Sequence, residues 1–322
     1  MAFERIWHKS YSAGVPTEIH FDRIAMPEVL TRTAQRFPDV TALIYMGKKI
    51  SYATLDSLVN RFAKTLTAIG VKKGDTVAML LPNIPQVVIA NYATWRIGAV
   101  ASQTNPLYTE RELTYQLDDA DASVLITLDL LLPKALKIKP DTKVKHINDY
   151  LPFPKKQLFP YVKKQMYRKV EPLPGISQFM DLMARHDDSP VHSEAYWDEV
   201  GTLIYTGGTT GISKGVMLTH ANMSCNVQQL RCWFHDWREG DGGSSLAVFP
   251  FFHSAGFTGV QNLTVWGGWT DILIPRPEPV AIIEQLRKFK PTYLPGVPSV
   301  PGDGVPLPGI SRQCAPVRAQ DP

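Results

Sequence analysis

The chain has 322 residues, 44% of them hydrophobic and 20% charged, the ordinary usage of a globular protein. That composition excludes a wholly disordered chain, a collagen-like fibre and a coiled coil. A net charge of +4 is too mild to mark a nucleic-acid binder, and three cysteines cannot build a disulfide framework, which favours a reducing compartment.

Met1 to Ser10 carries Glu4, Arg5, His8 and Lys9 and lacks the apolar run of a signal peptide. The first predicted strand is Thr41 to Tyr45, turned back at Gly47 and Lys48 into Lys49 to Ser51. A helix follows, because Leu55, Leu58, Val59, Phe62, Ala63, Leu66 and Ile69 fall on one stripe of a 3.6-residue period, and Gly70 stops it. Thr76 to Leu81 is an apolar strand ended by Pro82, and Pro85 to Ile97 reads as helical. The apolar stretch Thr76 to Ala101 is broken by Pro82, Asn83, Pro85, Gln86, Asn91 and Arg96, whereas a spanning helix needs about 20 nearly uninterrupted apolar residues. The chain is therefore expected to be cytoplasmic and soluble, or bound only to a membrane surface. Thr109 and Glu112 form a capping-box pattern that opens another helix, and Ser123 to Thr127 returns as a strand.

In the second half, Thr202 to Thr206 and Gly215 to Leu218 read as strands, with Thr219 capping a helix through Phe234. Leu246 to Phe249 and Asp271 to Ile274 are further strands, Ala281 to Phe289 a helix, and Thr292 to Leu294 a last short strand. Strands alternating with helices predict an α/β fold with mixed sheets flanked by helices.

Two segments break the rhythm. Pro133 to Val170 holds eleven Lys and Arg against two acids, a net +9 that leaves −5 for the rest of a +4 chain. Its Leu151, Phe153, Phe159, Tyr161 and Tyr167 give it two readings: a solvated insertion whose aromatics pack on the body, or a patch drawn to an anionic membrane surface or acidic ligand. Residues 301–322, rich in Pro and Gly and free of aromatics, have little apolar surface to offset ordering and read as disordered.

The chemistry lies between Tyr205 and Gly215. Gly207, Gly208, Gly211 and Gly215 let backbone N–H groups approach an anion, while Thr206, Thr209, Thr210 and Ser213 add hydroxyl donors and Lys214 a positive charge. Directly after a strand, this is a phosphate cradle. It is not a Walker A loop, because Ile212 and Ser213 separate Gly211 from Lys214.

Tyr205 to Gly215 resembles the phosphate-binding signature of the adenylate-forming enzymes, which include acyl-CoA synthetases and aryl-CoA ligases. Ile50 to Leu58, Gly74 to Asn83, Gly98 to Pro106, Pro250 to Gly256 and Pro291 to Pro298 are similar to further motifs of that family, in the same order. Asn148 to Pro160, with Thr219 to Asn222 and Asn226 to Gln229, resembles the bacterial long-chain fatty-acid–CoA ligases within it. The resemblance implies the large N-terminal domain of the acyl-CoA synthetase-like fold over residues 27–300, preceded by an extension at 1–26. It implies ATP, Mg2+ and CoA as cosubstrates, and a fatty acid that becomes first an acyl-adenylate and then a thioester. It places the cradle at the nucleotide and His253 beside the acyl carboxylate. Four residues on from His253, Phe257 would share its helical face and line the acyl channel. With no acidic residue from Pro250 to Thr270, an uncharged acid is favoured over an amino acid.

After Ser299 the family's later motifs are missing: the Thr-Glu pair for magnesium, the Thr-Gly-Asp for ribose, and the small C-terminal domain. The expectation is a truncated long-chain ligase, inactive alone. Two alternatives stand beside it, a non-catalytic module that binds nucleotide or acyl group and another adenylating enzyme such as an aryl-CoA ligase.

Overall fold

A computed structural model describes residues 5–138, 142–145, 177–207 and 213–296. Among them two sheets face each other across a central layer of helices. The smaller sheet has four strands in the order β10 (Ser244–Ala247), β11 (Thr270–Leu273), β1 (Thr41–Tyr45) and β2 (Lys48–Ser51). Its first three are parallel, and β2 returns antiparallel through the Met46–Gly47 turn, where both residues have positive φ. The larger sheet has seven strands in the order β7 (Ser177–Gln178), β6 (Thr142–Lys145), β5 (Ala122–Leu128), β3 (Thr76–Leu80), β4 (Val100–Gln103), β8 (Val200–Thr206) and β9 (Lys214–Thr219). All are parallel except β9, which runs back along β8.

Side-chain alternation along the strands sorts residues into three layers. In β3, Val77 and Met79 join the central core, while Ala78 and Leu80 point the other way, onto Leu113 and Leu117 of helix α4 (Glu110–Asp119) and Ala135 of the short helix α5 (Leu132–Ile138). In the smaller sheet Leu43 and Tyr45 face the centre, and Ile44 packs outward with Leu246, Ile272 and Ile282, the last from the helix Pro279–Phe289. The capping box at Thr109 and the cap at Thr219 form as predicted, and Thr219 makes a second capping box with Asn222.

The central layer holds α1 (Met26–Arg36), α2 (Tyr52–Ala68) and α3 (Pro85–Arg96). Every residue of α3 is buried. Its last residue, Arg96, donates to Asn60 Oδ1 (2.7 Å) and Asp56 Oδ1 (2.7 Å) on α2 and to Thr31 Oγ1 (3.0 Å) on α1, so one satisfied cation pins three helices. Helix α1 and strand β4 are not among the predicted elements. The first shows a buried stripe of Val29, Leu30, Thr33 and Ala34, and the second is short and ends in polar Ser102 and Gln103. The predicted strand Thr292 to Leu294 reduces to a single parallel bridge between Tyr293 and Ser245. Most of the basic insertion, and all of 301–322, lie outside the described residues. No helix among the described residues is long and apolar enough to cross a membrane.

Two buried titratable groups tilt stability in opposite directions. Burial pushes His220, whose Nδ1 accepts the Met26 N–H (3.4 Å), down to about 4. An unfolded histidine binds its proton first as pH falls, so His220 removes stability progressively between about pH 6.5 and 4. Burial raises the Asp271 carboxyl well above the carboxylate range, and neither of its oxygens has a hydrogen-bond partner among the described residues. The folded state then holds a proton that the unfolded state loses, and stability falls as pH rises above about 4. Asp271→Asn, a neutral isostere, is expected to unfold later than the parent, by a margin that widens between pH 5 and 8 in urea titrations. A constant margin would show that Asp271 is ionised in the folded chain.

Candidate functional site

Strands β8 and β9 form an antiparallel hairpin whose stem pairs Tyr205 with Gly215 and Thr206 with Lys214. Ser213 Oγ closes the stem by donating to the Thr206 carbonyl (2.6 Å). The Tyr205 ring lies across Gly215, where a Cβ would come 3.0 Å from the ring carbon Cζ, a contact tighter than most that would press on the ring. Thr206, Gly207 and Lys214 are exposed at the tip of the stem, while Gly208, Thr209, Thr210 and Gly211 lie outside the described residues. Helix α4 stands against this stem. Tyr205 donates its hydroxyl to Asp119 Oδ2 (2.6 Å), and Tyr115 donates to the Ser213 carbonyl (3.1 Å). Burial, then the Asp119 carboxylate, push the Tyr205 phenol up, so it remains a donor at neutral pH.

The second constellation follows β10. Asn83, just past the end of β3, donates through Nδ2 to the carbonyls of Ala247 (3.0 Å) and Phe249 (2.8 Å) and accepts at Oδ1 from the Phe251 N–H (2.9 Å). The chain then turns so tightly that a Cβ on Gly256 would sit 2.2 Å from the Pro250 carbonyl oxygen. His253 is exposed on this turn, and its Nδ1 accepts from the Ala255 N–H (3.3 Å). Phe257 is fully buried, its ring 5.7 Å from that of Trp95 and nearly perpendicular to it. The two side chains therefore do not share one helical face: His253 has extended backbone at the N-cap, where the helical period does not apply.

Parallel strands bring both constellations to one side. The C-terminal ends of β3, β4 and β8 lie on the same edge of the larger sheet, those of β10 and β11 on one edge of the smaller, and Asn83 joins the two edges. Open α/β sheets offer ligands a crevice at such an edge. The roles of Asn83, Tyr115 and Asp119 are absent from the predicted site. For the last two the available signal is their i, i+4 spacing on α4. Among the described residues no group of three or more His, Cys, Asp or Glu could hold a metal ion, and no residue is assigned to magnesium.

The family profile described as AMP-binding enzyme matches residues 30–302. The chain belongs to the AMP-binding enzyme family. It is 39% identical over 314 residues to a long-chain-fatty-acid–CoA ligase of Bacillus subtilis, covering 93% of this chain and 55% of that protein. A long-chain-fatty-acid–CoA ligase of Salmonella typhimurium is 30% identical over 305 residues, with 91% and 54% covered. This member of the family thus spans about half the length of the curated relatives it matches. The crystal structure of a long-chain-fatty-acid-CoA ligase from Archaeoglobus fulgidus superposes with a TM-score of 0.73 at 24% identity, covering 90% of this chain and 55% of that one. An anthranilate CoA ligase bound to anthranoyl-AMP gives 0.71 at 20%, with 84% and 49% covered. These likenesses show the fold, that of the acyl-CoA synthetase N-terminal domain.

Asn83→Ala removes three hydrogen bonds and leaves buried backbone groups without them. It is expected to cost about 3 kcal/mol in denaturant unfolding, and Asn83→Asp, which cannot donate, should not restore the loss. An Asn83→Asp variant as stable as the parent would show that the two donated bonds carry no weight.

Proposed function

We propose that this chain is the nucleotide- and acyl-binding half of a long-chain fatty-acid–CoA ligase. The observation that carries the proposal is the 39% identity over nearly the whole chain to such a ligase. The joined C-terminal edges support it, since they bring the phosphate hairpin and the His253 turn to one side of the fold.

In the first step a fatty-acid carboxylate oxygen attacks the α-phosphorus of ATP. The new O–P bond forms as the bond to pyrophosphate breaks, giving acyl-AMP. Backbone N–H groups and hydroxyls of the hairpin would hold the phosphates, and Lys214 would offset charge on the leaving pyrophosphate. His253 would sit at the acyl carboxylate. In the second step the CoA sulfur attacks the acyl carbon, its proton leaves, and AMP departs as the thioester forms. Residues after the matched half of the relatives would complete the ribose and magnesium contacts.

Two measurements test this reading. Lys214→Ala should weaken ATP binding ten- to hundredfold and AMP binding little, because a charge-assisted hydrogen bond contributes about 1.5–3 kcal/mol at the terminal phosphates. Equal weakening of both nucleotides would remove the lysine from that position. Residues 1–299 joined to the remaining half of the Bacillus subtilis ligase should make palmitoyl-CoA faster than benzoyl-CoA. The reverse preference would favour an aryl-CoA ligase, the class represented among the structural neighbours by a benzoate CoA ligase.

The basic stretch 133–170 is proposed to attract anionic membrane surface. Its binding to phosphatidylserine vesicles should fall with salt and with charge reversal at Lys155, Lys156, Lys163 and Lys164, since such attraction is screened within about 8–10 Å. Binding indifferent to both would leave the segment a packing role.

A further inference from the structure

We propose that Asp119 and Tyr115 are positioning residues that latch the phosphate hairpin to helix α4. The inference rests on the nucleotide reading above only for its consequence, not for its geometry. A two-stranded hairpin at the margin of a sheet is held on one side alone. Among the described residues β9 is the last strand, so the larger sheet constrains the β8 stem and leaves the β9 stem to its pairing with β8.

Helix α4 supplies the missing constraint from a different direction. One turn apart on the same face, Tyr115 and Asp119 take one stem each: Asp119 accepts from the β8 residue Tyr205 (2.6 Å), and Tyr115 donates to the Ser213 carbonyl where β9 begins (3.1 Å). The helix is itself a fixed point. Gln116, between the two and 1% exposed, donates to the Gln103 carbonyl (2.9 Å) and Thr104 Oγ1 (3.1 Å) at the end of β4. Gly215 under the Tyr205 ring spares it a Cβ contact of 3.0 Å and so eases its seat beside Asp119. The stem is thus held at both feet by a helix anchored to the neighbouring strand.

Lys214 stands exposed at the tip of the stem, while Asp119 engages one carboxylate oxygen with the Tyr205 hydroxyl.

The test uses the full chain and reads amide hydrogen exchange at Tyr205, Thr206, Lys214 and Gly215, with ATP affinity as a second readout. Asp119→Ala should speed exchange at these four amides about tenfold and leave global unfolding unchanged. Asp119→Asn, which keeps an acceptor oxygen, should return exchange to near the parent rate. Tyr205→Phe should match Asp119→Ala, and the double variant should be no faster than either, because both remove one link. Additive effects in the double variant, or unchanged exchange in a folded Asp119→Ala chain, would overturn the latch. If Asp119→Ala fails to fold, Tyr205→Phe, which loses a single hydroxyl, decides alone. ATP should bind three- to tenfold more weakly to Asp119→Ala and normally to Asp119→Asn. A parent chain that binds no ATP would defeat the nucleotide reading, while the exchange arm would still decide the latch.

Discussion

The two sheets are tied at their C-terminal edges by the side-chain amide of Asn83. Apolar packing between layers is strong but undirected, and a helical layer between two sheets can slide by fractions of a turn without losing much contact. A primary amide adds direction, since it donates and accepts from one rigid plane. Asn83 leaves the end of β3 and takes two carbonyls and one N–H from the strand-to-turn segment after β10. That segment cannot shift along the larger sheet without breaking all three bonds. Its placement in turn fixes where His253 stands. An aspartate cannot donate and a glutamine is a methylene too long, so asparagine suits the position.

The central layer shows how polar groups are used where burial is complete. Helix α3 has no solvent face, yet it carries Gln86, Asn91, Thr94 and Arg96. Arg96 is satisfied by α1 and α2. Asn91 is satisfied by Gln103 on β4 and by Gln261 in the π-helical segment Phe257–Asn262. Each bond crosses between elements, so the layer's register is specified by partners that cannot be exchanged for neighbours one turn away.

Much of this architecture was legible in the residues. Alternating strands and helices announced parallel sheets, Thr109 and Thr219 announced their helices, and the strands read at Thr202 to Thr206 and Gly215 to Leu218 form the stem of the hairpin. The division into two sheets was not legible. Strand propensity says that Thr41 to Tyr45 is extended but not that it pairs with Thr270–Leu273, over two hundred residues away. The pairing of His253 with Phe257 failed for a local reason: helical spacing applies only inside a helix, and a capping residue with extended backbone projects elsewhere. The part played by Tyr115 and Asp119 was hidden because a solvent-facing i, i+4 pair on an amphipathic helix looks the same whether it meets water or a hairpin.

Strand β9 has a further consequence, for how copies of the chain meet. Its outer row of peptide groups has no strand partner among the described residues, and Val216 and Met217 stand 42% and 67% exposed along it. An edge strand with unpaired peptide groups and exposed apolar side chains is a template on which another copy of the chain can pair, the encounter that seeds aggregation. Lys214 sits at the first residue of that strand. A charge on an edge strand opposes such pairing.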